Sequence, residues 1–481
     1  MLNPKDAADL VKKDLFPSWE QERTRLERID HWYRWTQEPV PLPYRSTPEL
    51  RKLAETSKVP WLNLVVTAAA QAMYVDGYRS ELDSSSTDAD SSTPGVQLSP
   101  PWRTWLANAM DRRQTAVHRA MLAYGYAFVT VLPGSDAMTG ERQSVIRGLS
   151  PRKMWAVYDD PAEDDWPTHA LAVRERRRGT YECKLYDDTA VYTLGVENSG
   201  EDVTFVRHEV HDAGVCPVVR YTNQLDLDGR SPGEVEPFIP LAARINKTSY
   251  DRMMAQHFNS WKVRTVSGMA QPDDEEDVNR KKLQLRQDDL LVADDPDTKF
   301  GTLDETSLSG FIEAHRADVE TLAAASQTPT HELTGAMINL SADALAAARS
   351  ALNQKVTERQ KSAGSSHAQV LRLSAALDGH DDYAGDVTGR VTWQDMEIRS
   401  ISQAADALGK MVQMLGVPPS ATWGRIPGVE RSDVAEWLKL AEQGDPITRM
   451  QETLERQAAP SSRPASPDRD GSDREPAPVG G

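Results

Sequence analysis

The spacing of apolar residues changes twice along this chain, and those changes constrain its fold more than any other feature. Up to Tyr124 the apolar positions recur every third or fourth residue, as on a helix face. From Tyr126 to Tyr221 the chain breaks into short runs rich in Val, Tyr and Thr, separated by turn residues: AFVTVL, KMWAVYDD, HALAVRER, YECKLYDD, AVYTL, VTFVRHEV and PVVRYT. From Glu236 onward helical spacing returns. The expected class is therefore α+β, with a mostly antiparallel sheet between two helical blocks.

The first block predicts a helix over residues 1 to about 38, with Leu10, Val11, Phe16, Trp19, Leu26, Ile29 and Trp32 on its apolar stripe. Pro39, Pro41 and Pro43 end it. Further helices are expected from Trp61 to Tyr74 and from Pro101 to Tyr124, with a polar loop from Ser80 to Gly95. In the second block one helix should run from Glu236 to about Val266, packing through Phe238, Leu241, Ile245, Met254, Phe258 and Trp261. Its length would be roughly 45 Å at the helical rise. A polar stretch follows from Ser267 to about Glu305, and a returning helix from Ser307 to Ala325 carries Leu308, Phe311, Ile312, His315, Val319 and Leu322. Thr328-Pro329 stops that helix. A longer one begins near Ser341, a plausible N-cap, and reaches about Leu377, with Gly364 expected to kink it. RVTWQDMEIRS reads as a strand, and two short helices follow. After Gln457 the composition is Pro, Ser, Asp, Arg and Gly, which predicts disorder.

Charge and motifs exclude more than they identify. Asp and Glu outnumber Lys and Arg by 73 to 55, a formal charge of −18. A domain that grips nucleic acid shows the opposite balance, because each phosphate held needs a cation. Cys183 and Cys216 make no disulfide framework or CxxC, and read as small core residues in a reducing compartment. MLNPKDAADLVKKDLF has no signal-peptide apolar run, and Val59 to Val75 is too short and polar to span a bilayer, so a soluble, cytoplasmic product is expected. Gly409-Lys410 lacks the upstream glycine of a phosphate-binding loop, since Ala404 stands there. His331-Glu332 lacks a second histidine, and His208 with His211 has no further ligand in reach, so a surface pair is favoured over zinc. The Asp226-Leu-Asp228-Gly229 stretch puts Val235 where a calcium loop needs a bidentate Glu. No catalytic residue, metal site or cofactor is expected.

Several stretches are similar to one family. FIPLAARINKTSYDRMMAQHFNSWKVRTVSG (238–268), SQTPTHELTG (326–335), VTWQDMEIRSISQAADAL, VPWLNLVVTAAAQAMYVDGYR and AYGYAFVTVLPG resemble the portal proteins of long-tailed, siphophage-type bacteriophages. The likeness spans most of the chain except the tail. It lies in the order of parts and in local wording, since that family has no catalytic signature.

The resemblance implies a portal-type fold: an α/β wing over 1–235, an antiparallel two-helix stem over 236–266 and 307–326, and a small clip over 267–306. A tunnel loop would occupy 327–341, a long kinked helix and a return strand of the wing 342–400, a helical crown 401–456 and a disordered tail 457–481. It further implies a homo-oligomeric ring, of twelve copies in that family, at one capsid vertex of the virion, assembled in the host cytoplasm. Double-stranded DNA would pass through it without sequence specificity during genome packaging and ejection. Implied partners are the terminase large subunit, the major capsid and scaffolding proteins and a head-completion adaptor, with no membrane. A head-associated adaptor or minor capsid protein without a channel is the alternative, and a nucleic-acid hydrolase is a distant third.

Arg244, Lys247 and Lys262 would share one helix face and are candidates to face DNA, against a plain solvated face or ion pairs to a neighbouring subunit. Thr334, Met337 and Asn339 are candidates on the loop, against an ordinary interhelical turn. Asp273, Asp274, Glu275, Glu276 and Asp277 could contact a clip partner, against a solvated acidic loop.

Overall fold

The computed structural model describes residues 1–82, 98–136, 138–197, 200–260, 264–267, 299–302, 306–336, 342–394, 401–424, 426, 429 and 431–444. The chain divides into two compact units, one of residues 1–87 and 98–394, the other of 88–97 and 395–481.

The larger unit holds two antiparallel sheets. Strands β2 (Tyr126–Leu132), β3 (Val145–Leu149) and β9 (Val218–Thr222) form one, in the order β3-β2-β9. Strands β4 (Met154–Val157), β5 (His169–Arg177), β6 (Thr180–Tyr186), β7 (Ala190–Glu197) and β8 (Asp202–Val210) form a five-stranded meander in sequence order. Helix gives way to strand at Gly125, whose φ of +98° caps the helix Met110–Tyr124. A Cβ there would lie 1.9 Å from the Ser231 carbonyl oxygen, so only glycine fits this crossing.

Three cores follow from the alternation. The largest packs the helices Trp61–Gln71, Met110–Tyr124 and Ala342–Asp378 around β2 and β9. The second sets the N-terminal helix on one face of the five-stranded sheet, with Phe16 and Trp19 edge-on to Tyr181 at 5.4 and 5.9 Å. The third lies between the sheets and includes Cys216 with Phe128, Met154 and Tyr186. Both cysteines are buried and unbonded, and burial pushes the Cys183 thiol up to about 12. They pack as small apolar residues.

Several boundaries differ from the sequence reading. The first helix spans Pro4–Leu10, a π-turn Val11–Leu15, and Phe16–Tyr33. The expected helix from Pro101 to Tyr124 is two, Pro100–Ala107 and Met110–Tyr124, broken at Ala109 with φ +50°. Asn108 explains the break: its amide donates to the Ser144 carbonyl at 2.8 Å and accepts from Ile146 N at 3.0 Å, tying the turn to β3. The helix expected to reach Val266 stops at Asn259, and Arg264–Ser267 is instead strand β10, paired with β11 (Lys299–Thr302). Strand β1 (Val75–Arg79) was also unread and pairs antiparallel with β12 (Arg390–Trp393), the strand that was read. The long helix Ala342–Asp378 is helical throughout, Gly364 included, and there it passes Val391 and Trp393 of β12.

The smaller unit contributes helices Ile401–Leu415, Ser420–Trp423 and Arg431–Gly444, with the Trp423 and Trp437 rings edge-on at 6.2 Å. The tail 457–481 lies outside the described residues. Among the described residues no helix is long and apolar enough to cross a membrane.

Candidate functional site: a helical hairpin and its root

The first helix of the hairpin, Ile239–Asn259, starts with Pro240 in its opening turn, where the missing N–H costs nothing. Its buried residues are Ile239, Ala242, Ile245, Asn246, Ser249 and Tyr250, and none lies beyond Tyr250. The returning helix, Ser309–Ala325, buries only Val319, Leu322 and Ala323, near its far end. Both helices are thus anchored at one end, the root. Toward the other end apolar side chains stand uncovered, with Phe258 56% and Ile312 54% exposed.

Polar ties fix the direction of the pair. Arg244 Nε meets Asp318 Oδ1 at 2.9 Å, and Thr248 Oγ1 donates to the same carboxylate at 3.1 Å. Farther out, Asn259 clasps the Thr306 backbone from both sides: its amide donates to the carbonyl at 2.7 Å, and its oxygen accepts the N–H at 3.2 Å. Beyond that the β10–β11 ladder pairs Arg264 with Thr302 and Ser267 with Lys299. Each residue gained on the outgoing chain is one lost on the returning chain, so one antiparallel register runs from the root to the ladder.

The root is held by a buried charge cluster. Glu234, just before the hairpin, accepts from Lys355 Nζ at 3.3 Å and from Arg359 Nη2 at 3.2 Å. The Lys355 ammonium also donates to the Ser326 carbonyl at 2.7 Å, capping the end of the returning helix. Desolvation pulls the Lys355 pKa down, and the Glu234 charge opposes the shift. Three segments are joined at this cluster: the entry to the hairpin, its exit and the long helix.

A second polar array crosses the main core. Tyr221 on β9, His367 on the long helix and His118 on Met110–Tyr124 are all buried. The His118 and His367 Nε2 atoms are 2.8 Å apart, His367 Nδ1 is 2.8 Å from the Tyr221 hydroxyl, and His118 Nδ1 is 3.1 Å from the Met73 carbonyl. A carbonyl only accepts, so His118 donates through Nδ1 and accepts at Nε2. His367 then donates through Nε2 and accepts the tyrosine proton at Nδ1. Both rings are neutral in this relay. Burial holds His118 down at about 4 and His367 well below the usual histidine range.

The sequence candidates fall unevenly on this frame. Arg244 is paired with Asp318, and Lys247 with Asp251 one turn on in its own helix. Thr334 is exposed at the end of the short helix Thr330–Thr334, where its hydroxyl donates to the Thr330 carbonyl. Lys262, Met337, Asn339 and the run Asp273 to Asp277 lie outside the described residues. The helix ends at Asn259, so the single face expected to carry Arg244, Lys247 and Lys262 does not extend to residue 262. Glu234, Lys355, Arg359, His118 and His367 were missed. Each is unremarkable in its own sequence window, and the pairs His118–His367, Lys355–Glu234 and Arg359–Glu234 each join residues more than a hundred positions apart.

Among the described residues no three His, Cys, Asp or Glu side chains are grouped to hold a metal. His211 is buried, with Nε2 3.1 Å from the Asp187 carbonyl, and Asp226 closes its own turn by accepting from Arg230. A cavity of about 790 Å³ beside Tyr126, Trp155 and Tyr158 has Arg25 paired with Glu22 and Glu236 and Arg230 with Asp226 at its rim, while Arg220 lies over the Tyr158 ring, 4.2 Å from its centroid.

Comparison with known proteins adds three findings. The family model described as "Phage portal protein, SPP1 Gp6-like" matches residues 12–447. A solved structure described as the virion of a native gene transfer agent (GTA) particle is 12% identical, covers 79% of this chain and 91% of its own, and superposes with a TM-score of 0.37. No curated protein sequence matches.

Proposed function

Because this chain belongs to the SPP1 Gp6-like phage portal protein family, we propose that it is the ring subunit of a capsid vertex, through which double-stranded DNA enters and leaves the particle. The observation that carries this reading is the antiparallel hairpin of Ile239–Asn259 and Ser309–Ala325, anchored at one end and uncovered at the other. Copies of such a hairpin arranged around an axis would form the stem of a channel. The uncovered Phe258 and Ile312 would be buried between copies, which removes apolar surface from water. Residues 267–306 would be the clip that docks the terminase large subunit and later the head-completion adaptor. Residues 327–341 would be the loop nearest DNA, and 401–456 the crown.

The charge suits a conduit. Every phosphate gripped by a cation adds affinity through counterion release, so a passage lined with free Lys and Arg would brake a moving duplex. Arg244 and Lys247 are already compensated by Asp318 and Asp251, and the chain carries −18 overall. These side chains would steady DNA without holding it. No catalytic step belongs to this reading.

Replacing residues 268–298 with a short Gly/Ser linker tests the assignment. The variant should still form rings and should lose binding to the terminase large subunit. A variant that binds terminase as the unaltered protein does would overturn the clip assignment.

A further inference from the structure

The five-stranded sheet leaves two edges open, and they carry opposite charge. Strand β4 pairs only with residues 169–172 of β5. From Val173 to Arg177 the outer side of β5 has no neighbour among the described strands. At that end the sheet is four strands wide, with β5 and β8 as its edges. The β5–β6 hairpin carries Arg174, Arg176, Arg177 and Arg178, all exposed, against two carboxylates, Glu175 and Glu182. The β7–β8 hairpin, at the same end, carries exposed Glu197, Glu201 and Asp202.

Arg176 is satisfied within the chain by Glu182, which accepts its Nε proton at 2.9 Å. Arg174, Arg177 and Arg178 have no ion pair among the described residues. On the other edge Lys12 lies 3.9 Å from the Glu201 carboxylate, one cation beside three anions. Strands are spaced about 4.8 Å apart, so the two hairpins are centred about 10 Å from each other. A polyanion laid on the arginines would therefore run against the neighbouring carboxylates.

We propose that the arginine edge of β5–β6 in one copy docks on the carboxylate edge of β7–β8 in the next copy. The proposal rests on the ring reading above and names one of its contacts. A ring closes through heterologous contacts, in which two different patches of the same protomer meet. Opposite charges on opposite edges of one sheet supply such a pair, and like edges of two copies repel, which fixes the direction of assembly.

The test uses full-length protein in two variants, R177E/R178E and E197R/E201R, each first checked for unaltered circular dichroism. Particle mass is measured by mass photometry across a salt series. Each variant alone should need about tenfold more protein to form rings. An equimolar mixture should assemble into alternating rings, because each variant supplies the charge the other lacks. Variants that assemble as the unaltered protein does would overturn the contact while leaving the ring itself standing. So would R177E/R178E rings that form normally and lose only duplex DNA binding, which would assign the arginines to DNA. Failure of the unaltered protein to form rings at all would instead remove the ring reading.

Discussion

The main core and the helical hairpin belong to the same compact unit and are built on opposite terms. In the core, two buried polar sets are completed within the chain: His118, His367 and Tyr221 form one relay, and Lys355 and Arg359 share Glu234. Away from its root the hairpin is tied by Asp318 and Asn259 and leaves Phe258 and Ile312 in the open. On the proposed ring reading, neighbouring copies would cover the apolar side chains that the hairpin leaves exposed.

The sharpest way to break this contrast is to remove Glu234. Glu234→Ala leaves buried Lys355 without a carboxylate and buried Arg359 with only the exposed Glu358, which should cost about 3–5 kcal/mol in urea unfolding. A loss under about 1 kcal/mol would mean the root is not held by charge.

Acid is next. His118 titrates near 6.5 when unfolded and at about 4 when folded, so the unfolded chain binds the extra proton first as pH falls. Stability should be intact above pH 6.5 and decline from there toward pH 4, by about 3 kcal/mol from this residue alone. Tyr221→Phe should weaken the relay without removing this dependence. Flat stability over that window would contradict the neutral tautomers.

Smaller effects belong to the hairpin. Asn259→Ala removes two hydrogen bonds at a partly exposed site and should cost about 1 kcal/mol or less. Its signature should be local: faster hydrogen exchange at Thr306, with the relay region unchanged. Ile312→Ser should shift monomer stability by no more than about 0.5 kcal/mol, since the side chain is 54% exposed, yet should reduce assembly. An Ile312→Ser protein that assembles normally would show that this face stays open in the ring.

How much was legible in the sequence follows the same division. Period and turn residues located eight strands, β12 among them, the two hairpin helices and the long helix, because each lies in a local run with its own spacing. Strands β10 and β11 escaped because each gains its meaning only from the other, across the intervening chain. The break at Ala109 escaped because its cause, Asn108 bonding to Ser144 and Ile146, lies across a turn. The candidate site was legible as a pair of helices but not as chemistry. Arg244 and Lys247 were visible as charges, whereas their compensation by Asp318 and Asp251 needed coordinates. The histidine relay joins three elements by single residues, and no window of sequence contains it.

Electron cryo-microscopy of the purified full-length protein is the most direct test of the account. The map should show closed annuli with one rotational symmetry and a central hole, with residues 239–259 and 309–325 lining its narrow part as an antiparallel pair from every subunit. Annuli whose narrow part is built from other residues, or a preparation that remains compact monomers under all assembly conditions, would contradict it.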